Sequence, residues 1–200
     1  MLGNKTSSIF LGISNGKIVR AFKEPTADSK SRINKMGRAV HEEFYDYVEG
    51  KITGIRVKDS EYGKFWVVSL KDGSTDYLLE MNYSGGNSGA FLKVLPHIDP
   101  TKPVRIVPRT ETVNEKKRSS LIIDQNGKAL KWFWTKDAPG DMPRLEQKKI
   151  KGVTVWDDSE MMEFLEKYAA EWVAKHLSAA AANDDSAEHP DQDPPDDLPF

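Results

Sequence analysis

The N-terminal part of the chain carries the two-residue alternation of apolar and polar positions that is typical of β-strands. Residues 8–22 predict a β-hairpin, because Ile9, Leu11 and Ile13 alternate with other residues and Asn15-Gly16 is a strong two-residue turn. Residues 23–38 are polar and basic, with proline, serine and glycine interspersed, and predict a mobile loop.

The middle of the chain predicts six further strands and one short helix. The strands are predicted at residues 45–58, 64–70, 76–81, 103–109, 121–124 and 129–135. The helix is predicted at residues 90–95, and Pro96 ends it. Gly50 and Gly54 in the first of these strands allow a bulge or a sharp bend. Three meandering strands, a short helix and further strands are the order of an OB-fold β-barrel, in which one bent strand serves both sheets.

The C-terminal part changes from the strand period to the helix period. Residues 158–177 predict an amphipathic helix that packs on the barrel, since apolar residues recur at helical spacing: Met161, Phe164, Leu165, Tyr168, Trp172, Val173 and Leu177. Asp157 or Asp158 can cap this helix, and Trp156 is expected to pack with it as Trp172 does. Residues 178–200 are too polar to bury a core and predict a disordered acidic tail. The sequence therefore predicts a mainly β domain over residues 1–177 and a tail over 178–200.

Composition excludes several classes of protein. The 200-residue chain has no cysteine, so it has no disulfide, no zinc–thiolate site and no cysteine nucleophile. Its first ten residues do not resemble a signal peptide, and no apolar run approaches membrane-spanning length. We therefore expect a cytoplasmic protein.

Signals for an enzyme are weak. The four histidines lack metal-ligand spacing, and no phosphate-binding loop with its lysine occurs. The acid pairs Glu42-Glu43 and Asp157-Asp158 are better explained as solvated or capping residues than as a two-metal site. The sequence thus predicts no catalytic residue, no metal and no cofactor.

Charge is segregated along the chain, although the net charge is only −2. Residues 1–150 hold 26 basic and 18 acidic residues, a balance of +8, whereas residues 178–200 hold seven acidic residues and no lysine or arginine. A basic body with an acidic tail is the asymmetry expected of a nucleic-acid-binding protein. The basic loop at residues 23–38 is then either a solvated connector or a further DNA contact.

Basic and aromatic residues are interleaved through the body, as single-strand binding requires: cations follow the phosphates while aromatic faces stack on bases. The candidate DNA-binding residues are Arg56, Lys58, Lys64, Trp66, Tyr77, Tyr83, Arg105, Arg109, Lys116, Lys117, Arg118, Lys131, Trp132 and Trp134. Phe65 is assigned to the core and Trp66 to the groove, because Trp66 shares its strand face with Lys64. Trp132 and Trp134 share a face opposite Lys131 and Phe133, and either pair could be core.

The chain ends in an acidic pair, an aliphatic residue, a proline and a phenylalanine, which are Asp196, Asp197, Leu198, Pro199 and Phe200. This ending resembles the C-terminal tip of bacterial and phage single-stranded-DNA-binding proteins. The resemblance implies a protein that coats single-stranded DNA in replication, recombination or repair. It also implies that the tip recruits partners such as helicases, nucleases and polymerase accessory subunits.

The body departs from the bacterial members of that family. It is longer than their usual core, its N-terminus differs, and it lacks their long Gly/Gln-rich connector. The resemblance therefore favours a phage-type or divergent member, located in the bacterial cytoplasm or nucleoid or in the host cytoplasm. Two alternatives remain: a nuclease that uses acids on the barrel, and an OB-fold adaptor that docks to a replication protein.

Overall fold

The protein is mainly β, with two α-helices. The computed structural model describes residues 8–34, 37–113, 115–150 and 153–177. The strands are β1 (Ile9–Ser14), β2 (Lys17–Phe22), β3 (Lys30–Ile33), β4 (Ala39–Tyr45), β5 (Val48–Ser60), β6 (Gly63–Asp72), β7 (Thr75–Asn82), β8 (Val104–Val113), β9 (Lys116–Gln125), β10 (Lys128–Ala129), β11 (Glu146–Ile150) and β12 (Val153–Asp157). The helices are α1 (Gly86–Val94), which continues into a 3-10 turn at Leu95–His97, and α2 (Ser159–His176).

Ten strands form one sheet in the order β10-β9-β8-β5-β6-β7-β1-β2-β4-β3, and β11 and β12 form a separate hairpin. β5 is the longest strand, with 13 residues, and it is shared between two partners. Its first three residues pair with β8, and the rest pair with β6. A register shift between Ile52 and Gly54 marks the bulge predicted there. Gly50 permits the crossing, because a Cβ at this position would lie 3.0 Å from the carbonyl oxygen of Lys71.

The predicted N-terminal hairpin is confirmed. Asn15 and Gly16 both have positive φ, at 47° and 73°, as the tight turn between β1 and β2 requires. β1 also pairs with β7 in parallel, with Ile9 opposite Tyr77. The tip of the hairpin reaches β8, where a Cβ on Gly16 would lie 2.8 Å from the backbone nitrogen of Thr110. Within the described ranges the strands nevertheless form no closed barrel, because the order runs from β10 to β3 without returning.

The main core lies on one side of this sheet, and both helices pack there. α1 supplies Phe91 and Leu92, and α2 supplies Met162 and Leu165, each almost fully buried. The predicted amphipathic character of α2 is therefore confirmed. Asp158 is the N-cap residue of this helix but makes no capping hydrogen bond through its side chain. Asp157, one residue earlier, accepts hydrogen bonds at its Oδ1 from the backbone and the hydroxyl of Ser159, at 3.0 and 2.6 Å.

The sixth strand predicted at residues 129–135 is wrong beyond Ala129. The chain leaves β9 there because Phe133 donates its backbone N–H to Lys93 at the end of α1, at 2.7 Å, instead of to a strand. The next residue, Trp134, is then inserted beside α2, with its ring edge-on to Phe164 and Tyr168 at centroid distances of 5.4 and 4.8 Å.

Two further predictions need correction. The loop predicted at residues 23–38 contains β3, which pairs with β4 through polar contacts such as the two hydrogen bonds from Arg32 to Glu42, at 2.8 and 2.9 Å. Trp156 is not packed with α2: it lies on the β11–β12 hairpin and is 64% exposed.

The tail predicted at residues 178–200 lies outside the described residues. Among the residues that are described, no helix is long and apolar enough to cross a membrane.

Candidate nucleic-acid interface

The register of the strands decides which side chains can form a surface, because directly opposed residues point to the same side of a sheet. Trp66, Val68 and Leu70 alternate along β6 on the core side. Phe65 and Val67 point to the other side, which we call the outer side, together with their partners Lys58 and Arg56 on β5. A binding surface for a long ligand must lie on the outer side, since the helices cover the core side.

The assignment of Trp66 to a groove is wrong. Trp66 is only 2% exposed, and its ring stacks on that of Tyr83 at a centroid distance of 5.7 Å and an interplanar angle of 2°. Phe65, at 6% exposed, is also buried, but on the outer side. The alternation between the two residues was correctly inferred, and the choice of side was reversed because both sides of β6 are apolar.

Lys64 and Tyr83 hold α2 against the sheet. Glu166 on α2 accepts hydrogen bonds from the Lys64 ammonium at 2.9 Å and the Tyr83 hydroxyl at 2.5 Å, and the ammonium lies 4.2 Å from the centre of the Tyr83 ring. Burial and the bond to Glu166 raise the pKa of Tyr83 to about 12. Burial opposes ionisation of Glu166, but the bonds from Tyr83 and Lys64 outweigh it and lower the pKa of Glu166. These contacts explain Lys64 and Tyr83 as structural residues.

The remaining predicted aromatic residues divide between core and surface. Tyr77 is partly buried against the core, and Trp134 is 4% exposed. Trp132 is 46% exposed, and the Lys93 ammonium lies 5.2 Å from its ring centre. Lys131 beside it is exposed. Trp134 therefore belongs to the core, whereas Trp132 and Lys131 form a separate surface near the end of α1.

A row of cations follows β5 along the outer side. Its members, which we call the β5 stripe, are Lys51, Arg56 and Lys58 on β5, Lys71 on β6, Arg105 on β8 and the exposed ring of Tyr47 just before β5. At about 3.3 Å per residue, the 13 residues of β5 extend about 40 Å. The structure thus brings together Arg56, Lys58 and Arg105 from the sequence prediction.

Three acidic residues, Glu80, Asp76 and Glu49, partly neutralise the β5 stripe. Glu80 on β7 pairs with Lys58 on β5 at 3.4 Å. Because β5 and β7 flank β6, this ion pair crosses over Phe65 and Val67 on the outer side and helps to bury them. Asp76 approaches Lys71 only to 3.9 Å. In the part of the chain that the structure describes, Lys51 and Arg56 have no ion-pair partner. Their charges are available to an anion.

Arg105 and Tyr47 form one end of the stripe. The Arg105 guanidinium lies 4.4 Å from the centre of the Tyr47 ring, a cation–π contact, and its Nε donates to Glu49 at 2.7 Å. The bond to Glu49 raises the pKa of Arg105, which stays charged. Tyr47 remains 47% exposed, so its ring is available for stacking.

The other predicted cations lie on the β8–β9 hairpin, away from β5. Arg109, Lys116 and Arg118 point to the outer side, as the pairing of Arg109 with Ser120 and of Glu111 with Arg118 shows. Lys117 points to the opposite side and donates to the Asn15 side chain at 3.2 Å. The hairpin is a second basic surface rather than part of the β5 stripe.

Tyr47, Lys51 and Lys71 were missed by sequence reasoning. Tyr47, Glu49 and Lys51 follow one alternation and point to the outer side. The bulge after Ile52 shifts this alternation before it reaches Arg56. Treating β5 as two segments divided by its glycines would have placed Lys51 and Arg56 on the same side.

No protein-family model, curated protein or solved structure matches the chain. Within the described ranges, no group of three or more histidine or acidic residues is arranged to hold a metal ion. The β5 stripe and the sequence of residues 178–200 are the two features of the chain that point to a function.

Proposed function

We propose that the protein binds single-stranded DNA with little sequence preference, and that the strand runs along the β5 stripe. The observation that carries this proposal is the row of five cations on the outer side of β5 and its neighbours β6 and β8, ending at an exposed tyrosine. Cations in a row can follow successive phosphates, while an aromatic face accepts any base. A nucleic acid is favoured over a small ligand because the cations span nine residue steps of β5, from the level of Glu49, opposite Arg105, to Lys58, or about 30 Å.

The fold proposal is an OB-fold whose barrel is opened by an added hairpin. β5, β6 and β7, then α1, then β8 and β9 have the OB-fold order, and β5 is shared as that fold requires. The hairpin of β1 and β2 occupies the free edge of β7. The strand order supports the OB-fold independently of the charges on the β5 stripe.

We also propose that the C-terminal tip, from Asp196 to Phe200, recruits replication or repair proteins, and that the protein is not an enzyme. The support is the order of acidic, aliphatic, proline and aromatic residues at the tip. A helicase, a nuclease or a polymerase accessory subunit would offer an apolar pocket beside a cation. The resemblance to single-stranded-DNA-binding proteins supports this role and a location in the bacterial or host cytoplasm.

Binding to labelled 30-nucleotide strands tests the main proposal by fluorescence anisotropy. Single-stranded DNA should bind more tightly than the duplex or single-stranded RNA of the same sequence. Log affinity should fall with log salt with a slope of about −2.8 to −3.5, for four phosphates if Lys51 and Lys71 share one and five if each cation binds its own. Arg56→Gln should weaken binding, whereas Lys128→Gln, an exposed lysine on β10, should not. Equal or tighter binding of the duplex would overturn the single-strand assignment.

A further inference from the structure

An open cleft of about 500 Å³ lies where β5 crosses from β8 to β6. Its lining includes Tyr47, Glu49, Lys51, Lys71 and Asp72. The cleft contains one end of the β5 stripe, since Tyr47, Lys51 and Lys71 belong to both. An inference about this cleft therefore rests on the proposed function.

Two lysines in the cleft face each other. Lys51 and Lys71 are direct cross-strand partners on β5 and β6, so their Cβ atoms are about 5 Å apart. Like charges directly opposite each other in a sheet are unfavourable. Asp76, the cross-strand partner of Lys71 on β7, pairs with it at 3.9 Å, whereas Lys51 has no ion pair within the described residues. An anion between the two ammonium groups would relieve this repulsion.

Tyr47 provides an aromatic wall beside the lysines. Arg105 covers its ring at 4.4 Å, and the ring also lines the cleft, so a planar group can stack there. Glu49 is already bonded to Arg105, which leaves Asp72 as the lining acid without an ion pair in the described part of the chain. A carboxylate at this position can accept hydrogen bonds from the amino or imino groups of a base.

The backbone keeps the cleft open. A Cβ on Gly50 would press on the backbone of Lys71 at 3.0 to 3.2 Å, so the close crossing of the strands depends on this glycine. Gly73, in the turn after β6, has a φ of 56° and no atom within 4 Å of its Cβ position. The cleft thus has a closely packed floor and a free rim.

We propose that this cleft is a nucleotide subsite at the end of the DNA path. One base of the bound strand stacks on Tyr47, and the phosphate attached to that nucleotide lies between Lys51 and Lys71. The ligand is a nucleotide within a strand, because the cleft opens onto the cations of the stripe that bind the neighbouring phosphates.

Oligothymidylates that differ in length by one nucleotide test this proposal. Wild-type affinity should rise by about 5- to 150-fold at the length that first reaches the cleft, the effect of one stacked base. Tyr47→Leu should abolish this step, and Tyr47→Phe should keep it. For a long strand, the Lys51→Gln/Lys71→Gln double variant should reduce the salt slope by about 0.7, the effect of one phosphate contact.

The control is Lys128→Gln/Lys136→Gln, which removes the same charge at two exposed sites outside the stripe. If wild-type protein binds the strands but the cleft variants match this control in both affinity and slope, the subsite is overturned and the proposed function stands. If wild-type protein binds no single-stranded DNA, the proposed function fails first. Thymidine monophosphate binding as tightly as a long strand would identify a free-nucleotide site and overturn the assignment to DNA.

Discussion

At the scale of single residues, Trp66 shows why the sequence does not determine which face of a strand is turned to the core. Trp66 and Phe65 are adjacent on β6, and the residues that alternate with each are valines, so both sides of the strand are equally apolar. A pattern of period two establishes that the residues point apart, but not which of two apolar sides receives the helices. Lys64 was misleading because its ammonium pairs with Glu166 on α2 instead of facing solvent.

Trp66→Ala should therefore reduce stability rather than DNA binding. We expect a loss of about 3–5 kcal/mol in the free energy of unfolding, measured by urea denaturation, because a large core side chain is removed. Trp66→Phe should cost less, since it retains a ring against Tyr83 and removes an indole N–H that has no acceptor among the described residues. A folded Trp66→Ala variant with normal stability and weakened DNA binding would restore the original assignment.

Glu166 should make stability depend on acid pH. Its pKa is lowered in the folded state, so its contribution is present above the ordinary value of 4.5 and is lost as pH falls through the lower folded pKa. Glu166→Gln should be less stable than wild type by about 1 kcal/mol at pH 7, a modest value because the site is partly exposed. The difference should shrink at pH 3.

Urea denaturation at the two pH values measures this effect. Glu163→Gln, an exposed position on the same helix, provides the matched control and should show no such change between pH 7 and pH 3. A pH-independent difference between Glu166→Gln and wild type would show that the carboxylate does not hold α2 through its charge.

At the scale of elements, turn chemistry and glycine positions predicted the most. Asn15-Gly16 correctly identified the first hairpin, and Gly50 and Gly54 correctly identified the bend in β5, because these backbone shapes admit few other residues. β3 and the β11–β12 hairpin were missed because polar cross-strand contacts hold them, and β3 and β11 show no apolar alternation to detect.

Gly50→Ala should disturb the crossing of β5. The added Cβ would approach the Lys71 backbone to 3.0 Å, and neither strand can move without breaking its ladder. We expect a loss of about 1–3 kcal/mol in the free energy of unfolding. Gly12→Ala is the control, because its Cβ would have no atom within 4 Å. Equal effects of both changes in urea denaturation would contradict the steric explanation.

At the scale of the whole molecule, the basic body and the acidic C-terminal segment should act separately. Deleting Phe200 removes the terminal ring but leaves all seven acidic side chains of residues 178–200. We expect this deletion to abolish recovery of partner proteins in pull-downs from host lysate and to leave DNA affinity nearly unchanged. Recovery of the same partners with both proteins would show that the tip is not the docking element.

Deleting residues 178–200 as a whole should, in contrast, change the affinity for DNA. We expect the seven acidic residues to compete with phosphate for the cations of the body, so DNA affinity should rise, most at low salt where screening is weakest. Anisotropy titrations at two salt concentrations measure this. An unchanged affinity at low salt would exclude competition by the tail.

The parallel pairing of β1 with β7 has a consequence for synthesis on the ribosome. Ile9 and Tyr77 are neighbours in the sheet but 68 residues apart in the chain. At about 5–20 residues per second, β1 emerges about 3–14 seconds before its partner strand has been made. Throughout that interval its free edge can pair with another nascent chain, which makes the hairpin of β1 and β2 the segment where a chaperone would give the most protection.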